Sequence, residues 1–229
     1  MNTFPNEKQK AGSKTCGPSC LQNIYTHFNK KTTLKKILKD LSVTVDDPTH
    51  VPQLARHVKD IGLDVRIISS CTYNISPDWK SKSEKEIAEL LKKWVVHNHK
   101  NKWIKDVLYL LFYLQEGGKL EIVDLSTKII DKELDKGNVV LSCLEESWLW
   151  EKRKIYGTTK YDSIKGRPTG HFVIVYDKKG DEYLISDPFP TGLKEKEGLY
   201  KVSKDKLLIS TVVWGAQILS ISNRKVDGQ

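Results

Sequence analysis

The pattern of apolar residues changes near the middle of the chain, and this change limits the possible folds more than any other feature. From about residue 16 to residue 115 apolar side chains recur at helical spacing. From about residue 120 onward, short runs rich in β-branched residues alternate with turn signals. A helical half followed by an antiparallel half predicts an α+β fold with a cleft where the halves meet. We expect a single domain over residues 1–229, with a helical lobe at about 1–118 packed on an antiparallel β-lobe at about 119–229.

Apolar spacing and turn residues also locate the individual elements. Helices are predicted at residues 16–28, 34–41, 52–61, 83–96, 103–115, 129–134 and 202–208. Strands are predicted at residues 64–69, 138–143, 171–176, 183–186 and 216–220. The sequence contains no repeat, low-complexity tract or long linker that would divide it into independent domains.

Composition narrows the possible partners and locations. Lys and Arg outnumber Asp and Glu by 38 to 29. The lysines are scattered along the chain and are not interleaved with regularly spaced aromatic residues. We therefore expect them to form a solvated surface, and we expect no nucleic-acid partner. The N-terminal residues lack the apolar stretch of a secretory signal, and the longest apolar block, residues 107–114, is too short to span a bilayer. We therefore expect a cytoplasmic protein whose four cysteines are reduced thiols.

The segment that most clearly carries chemistry is a turn that runs straight into the first predicted helix, Thr15-Cys16-Gly17-Pro18-Ser19-Cys20. It places the Cys16 sulfur at a helix N-terminus, where backbone N–H groups and the helix dipole stabilise a thiolate. A thiolate attacks carbonyl carbons, so Cys16 is the candidate nucleophile. Cys20, Cys71 and Cys143 are interpreted as core residues.

A nucleophilic cysteine needs a proton acceptor, and histidine serves best at neutral pH. His171 is the candidate among six histidines, because it opens a buried strand directly after Gly170. The strand returns through a hairpin to Asp187-Pro188, which brings the Asp187 carboxylate close to His171 and lets it orient the ring.

Three segments resemble the double-glycine leader peptidases that process bacteriocin precursors, and their stand-alone relatives among the papain-like cysteine peptidases. They are residues 16–20 at the start of a helix, residues 170–175 as the histidine strand, and residues 185–188 after the hairpin. The order cysteine, histidine, aspartate also matches. This resemblance implies a papain-like fold and cleavage of a peptide or protein substrate through a thioester on Cys16, with no metal or cofactor.

The resemblance further implies a glutamine shortly before the cysteine, whose amide helps to stabilise the oxyanion. Gln9 is the candidate, seven residues before Cys16 where six are expected. Gly17 and Gly170, next to the nucleophile and the base, are expected at the substrate. The long segment 145–170 carries Trp148 and Trp150, which we expect to bind substrate beside His171.

Other interpretations remain open from the sequence. The same three residues would serve an acyl transferase or transamidase in which an amine or thiol replaces water. A non-catalytic basic binding module is a second alternative, in which the triad is vestigial. Zinc held by Cys16 and Cys20 is disfavoured because the pair lacks the clustered ligands of a structural site.

Overall fold

The fold is known from a computed structural model, which describes residues 3–223. The predicted α+β class is confirmed. The helices are α1 (Cys16–His27), α2 (Leu34–Asp40), α3 (Val51–Asp60), α4 (Glu84–His97), α5 (Ile104–Gln115), α6 (Thr127–Asp135), α7 (Glu146–Trp150) and α8 (Lys204–Trp214). The strands are β1 (Asp64–Ser69), β2 (Lys119–Ile122), β3 (Val139–Glu145), β4 (Gly170–Lys179), β5 (Glu182–Ser186), β6 (Leu199–Ser203) and β7 (Gln217–Ser222). Over residues 3–223, no helix combines the length and apolar character needed to cross a bilayer.

All the strands of the described chain belong to one sheet, in the order β2-β1-β7-β3-β4-β5-β6. Neighbouring strands are antiparallel except for β1 and β2, which run parallel. The sequence assigned the sheet to the second half, and here the structure differs. Strand β1, from the helical half, lies between β2 and β7, because a buried strand must pair its backbone N–H and C=O groups on both edges.

Helices cover both faces of this sheet. Helices α1 to α5 share one apolar core with Phe172 and Ile174 of β4, whereas α6 to α8 share a second core with Val173 and Val175, whose side chains point to the other face. This explains why β3 and β4 are continuous apolar runs rather than alternating patterns. Full burial of each such side chain contributes roughly 1.5–3 kcal/mol.

The region after Asp187 departs most from the sequence-based elements. The predicted helix at 202–208 is instead the edge strand β6 followed by the longer helix α8, which Ser203 caps by accepting a hydrogen bond from the Lys206 N–H. Burial alternates along β6, with Tyr200 and Val202 inward, which is the pattern of a strand with one solvated face. Strand β2 and the short helix α7 were not predicted either.

Candidate active site

A cleft of about 560 Å³ opens where the start of α1 meets the start of β4, and both Cys16 and His171 line it. Its other walls come from the N-terminal segment, the beginning of α3, and the connection between α7 and β4. The predicted nucleophile and base therefore face one cavity, although they are far apart in the sequence.

Cys16 is the first residue of α1 and is half-buried. Pro18 fits the first helical turn because its missing N–H has no intrahelical partner there. Gly17 lets α1 approach α3 closely, since a Cβ at this position would lie 2.5 Å from Thr49 Oγ1 and 2.9 Å from Leu54 Cδ1. The docking of α1 on α3 thus fixes the helix end that presents the Cys16 sulfur.

His171 and Asp187 form a hydrogen-bonded pair in which His171 Nε2 lies 2.8 Å from Asp187 Oδ1. Both side chains are buried. Because Nε2 is engaged by the carboxylate, the other ring nitrogen remains for the nearby side chain of Cys16. The hairpin of β4 and β5 brings the pair together, as the sequence predicted.

Further donors hold the Asp187 carboxylate in place. Its Oδ1 also accepts a hydrogen bond from the Phe189 N–H at 2.9 Å. Its Oδ2 accepts hydrogen bonds from Trp150 Nε1 at 3.0 Å and from the Tyr200 hydroxyl at 2.7 Å. A buried carboxylate with these partners stays ionised and cannot rotate freely.

The two partners shift each other's pKa in opposite directions. Burial alone would lower the pKa of His171, but the charge and hydrogen bond of Asp187, with a further contribution from the nearby Cys16, outweigh it and raise the value to about 10. Burial alone would raise the pKa of Asp187, but the charge and hydrogen bond of His171, with the hydrogen bonds from Tyr200 and Phe189, hold it below its usual range. An imidazolium–carboxylate pair is therefore the stable form at neutral pH.

Gln9 also lines the cleft, and its side chain is buried. Its backbone N–H donates to the Pro188 carbonyl at 2.8 Å, which ties the N-terminal segment to the turn that carries Asp187. Its Nε2 donates to the Ser13 carbonyl at 3.1 Å, so a second N–H of the amide remains for a ligand. Thus the chain brings Gln9 to the same cavity as Cys16 and His171.

The residues expected at the substrate occupy different places. Gly170 lines the cleft, and its missing side chain makes room for the Trp214 ring. Gly17 is buried under α3, as described above. Within residues 3–223, neither Trp148 nor Trp150 lines the cleft: Trp148 is half-exposed outside it, and Trp150 is buried behind His171 as a donor to Asp187. The aromatic lining besides His171 comes instead from Tyr73, Trp103, Tyr156, Phe172, Phe189 and Trp214.

The other cysteines have different environments. Cys20 is fully buried and its thiol donates to the Phe172 carbonyl at 3.3 Å, with burial raising its pKa. Cys71 and Cys143 were expected in the core, and burial raises the pKa of both thiols. Both nevertheless also line the cleft. Cys16 differs from all of them in its position at a helix start beside an imidazole.

Sequence reasoning missed the residues that support Asp187. The sequence predicts Trp150 as a substrate contact and places Tyr200 in no helix or strand. The alternation of apolar and charged residues at 199–203 was the available signal, because it turns Tyr200 and Val202 to the same buried face. Nothing in the local sequence indicates that this face meets Asp187.

No protein-family model matches the chain, and no curated protein matches its sequence. Among solved structures, the peptidase domain of Streptococcus ComA, described as a bifunctional ABC transporter in a quorum-sensing pathway, is similar with 10% identity and a TM-score of 0.47, covering 97% of this chain and 100% of that one. A putative C39-like peptidase from Bacillus anthracis is similar with 12% identity and a TM-score of 0.46, covering 97% and 96%. At these values the likeness assigns no activity to this chain.

Proposed function

We propose that the protein is a papain-like cysteine peptidase, in which Cys16 is the nucleophile, His171 the base and acid, and Asp187 the residue that orients His171. One observation carries the proposal: buried His171 lines a cleft between Cys16, at a helix start, and a carboxylate fixed by further donors. A purely structural His–Asp pair would not need a cysteine beside its free ring nitrogen.

In the proposed reaction His171 is protonated before the attack, which its raised pKa favours. The Cys16 thiolate attacks the peptide carbonyl and forms an S–C bond. The C–N bond then breaks while His171 gives its proton to the departing amine. Water attacks the thioester, His171 takes a proton from it, and the released acid leaves Cys16 free for another turnover.

The negative oxygen that forms during attack needs donors. The backbone N–H of Cys16 and the unused N–H of Gln9 are the proposed donors. The buried position of Gln9 in the cleft supports this role, as does the hydrogen bond that ties it to Pro188. The substrate is proposed to be a peptide or protein segment lying along the aromatic walls of the cleft.

The rate of Cys16 alkylation by iodoacetamide as a function of pH tests the proposal, with peptide mapping to resolve each cysteine. In the native protein we expect rapid alkylation of Cys16 well below pH 7, because His171 holds the proton. In His171→Ala we expect slow alkylation that rises only near about pH 8.5, as for an ordinary thiol. Cys71 provides an internal control, since burial raises its pKa to about 11.

Digestion of a randomised peptide library by the native protein and by Cys16→Ala then tests the reaction itself. Cys16-dependent products that carry the mass of water support hydrolysis, whereas products joined to an added amine would assign acyl transfer instead. Identical alkylation profiles in the native protein and His171→Ala, with no Cys16-dependent product, would overturn the proposal.

A further inference from the structure

Glu146 and Lys154 form a buried ion pair in the cleft that the proposed reaction does not use. The side chain of Glu146, at the start of α7, is 2% exposed, and that of Lys154 is 9% exposed. Lys154 Nζ lies 3.3 Å from Glu146 Oε2. The other carboxylate oxygen, Oε1, is buried and has no hydrogen-bond partner within the described part of the chain.

The pair is held against the residues around His171. Lys154 Nζ lies 4.0 Å from the centroid of the Phe189 ring and 5.5 Å from that of Trp150. Phe189 itself lines the cleft, with its ring centroid 6.1 Å from that of His171. The backbone of Lys154 is fixed by a bridge to Tyr161 and by a hydrogen bond from the Arg167 N–H to its carbonyl. Glu146 and Lys154 therefore form a preorganised part of the cleft wall beside His171.

An unpartnered carboxylate oxygen in such a place is unfavourable for folding, because a buried acceptor without a donor loses its bonds to water. Consistent with this cost, burial raises the pKa of Glu146, although the charges of Lys154 and His171 oppose the shift. Groups of this kind concentrate at binding and catalytic sites. Oε1 is thus available to accept a hydrogen bond from a ligand in the cleft.

The charges of the pair restrict what that ligand can be. A cationic group at Oε1 would add a positive charge beside Lys154 and protonated His171, both of which are buried. An anionic group would leave Oε1 without a donor. An uncharged amide satisfies both partners, because its N–H can donate to Glu146 Oε1 while its C=O accepts from Lys154 Nζ.

We propose that Glu146 and Lys154 form a subsite beside His171 that binds an uncharged amide group of the substrate. Since His171 donates its proton to the departing amine, this amide belongs to the part of the substrate that follows the scissile bond. The inference rests on the proposed peptidase function, and it names a specificity determinant within the same cleft. The amide can come from the substrate backbone or from an Asn or Gln side chain.

The test uses binding, so that it does not depend on turnover. Cys16→Ala protein is immobilised and incubated with a randomised synthetic peptide library, and the retained peptides are identified by mass spectrometry. The same selection is made with Glu146→Gln added to Cys16→Ala. In this variant the new amide is expected to turn its oxygen toward Lys154 and present an N–H to the ligand. Glu151→Gln is the matched control, because Glu151 is exposed and bonded to Lys206.

If the bound amide is a side chain of the substrate, we expect Gln or Asn to be enriched at one position of the retained peptides. These peptides should bind about tenfold more weakly to the Glu146→Gln variant, which corresponds to the loss of a hydrogen bond to a charged group. For a backbone amide, N-methylation at one position of a retained peptide should weaken binding about tenfold in Cys16→Ala but not after Glu146→Gln.

The inference is overturned if no peptide is retained, or if Glu146→Gln changes peptide affinity no more than Glu151→Gln does. Digestion of the retained peptides by the native protein separates the two proposals. Retention that depends on Glu146, without cleavage that depends on Cys16, would keep the amide subsite and reject the peptidase reaction.

Discussion

Asp187 accepts hydrogen bonds from four parts of the chain, namely β4, α7, β6 and the turn that follows it. Each donor stabilises the charged form of the carboxylate, and the charged carboxylate in turn keeps His171 protonated. The proposed chemistry therefore depends on a single fixed charge.

Replacing Asp187 by Asn removes this charge and nearly preserves the shape of the side chain. The pKa of His171 should fall well below about 10, because the lowering effect of burial is then opposed only by Cys16. We expect peptide turnover to decrease by about two to four orders of magnitude. The pH profile of Cys16 alkylation measures the shift, and an unchanged profile in Asp187→Asn would contradict it.

The same shift predicts how stability depends on pH. Because the folded-state pKa of His171 is raised, its contribution to the free energy of unfolding is complete below the ordinary value of 6.5 and is lost as pH rises through about 10. Urea unfolding of the native protein across this window should show that loss, and Asp187→Asn should not. Equal pH dependence in both proteins would argue against the charged pair.

Tyr200→Phe removes one donor to Asp187 Oδ2 and keeps the ring. We expect a loss of about 1–2 kcal/mol in the free energy of unfolding and a lower pKa of His171, visible as a shifted alkylation profile of Cys16. Tyr183→Phe is the matched control, since Tyr183 is also buried and donates to the Thr127 carbonyl away from the cleft. If both variants shift the profile equally, Tyr200 has no positioning role.

Helix α1 depends on its contact with α3 at Gly17. In Gly17→Ala the added methyl group meets Thr49 and Leu54, so α1 must move away from α3 or these side chains must shift. We expect a destabilisation of about 1–3 kcal/mol, as for other overpacked sites, and slower alkylation of the displaced Cys16.

Gly215→Ala is the control for Gly17→Ala, because a Cβ at position 215 would have open space around it and Gly215 lines the same cleft. Thermal unfolding and the alkylation rate at one pH compare the two variants. A Gly17→Ala protein with native stability and native Cys16 reactivity would show that the close approach of α1 and α3 is not required.

At the scale of the whole molecule, the sheet joins the two halves of the chain, and Glu133 strengthens that junction. Its carboxylate contacts Arg66 of β1, Lys136 and Asn138 after α6, and Ser220 of β7. Burial alone would raise the pKa of Glu133, but hydrogen bonds from Lys136 and Ser220 and the charge of Arg66 lower it to about 2.

Because this pKa is depressed, the stability that Glu133 contributes is present above its ordinary value of 4.5 and is lost as pH falls toward about 2. Glu133→Gln should lower the free energy of unfolding by about 3 kcal/mol at neutral pH and by less near pH 3. Urea unfolding at both pH values measures the difference. A penalty of the same size at both would contradict the electrostatic explanation.

The sequence by itself determined the features that arise from neighbouring residues. Apolar spacing located α1, α3, β1 and β5 to within a few residues, because each element must bury one face or both. The turn before α1 predicted that Cys16 begins a helix, and the hairpin after β4 predicted the contact of Asp187 with His171, because local geometry fixes both arrangements. For Gln9 the sequence alone left its position relative to Cys16 open.

Only the tertiary structure determined the features that depend on contacts between segments far apart in the sequence. Three features join residues whose local sequence patterns give no sign of the contact. They are the place of β1 inside the sheet, the hydrogen bonds from Trp150 and Tyr200 to Asp187, and the buried pair of Glu146 and Lys154. Strand pairing partners and the burial of a charge are set by the packing of the whole chain, since backbone and polar groups must find partners wherever the fold buries them. That is why the predicted triad was accessible from the sequence and the residues around it were not.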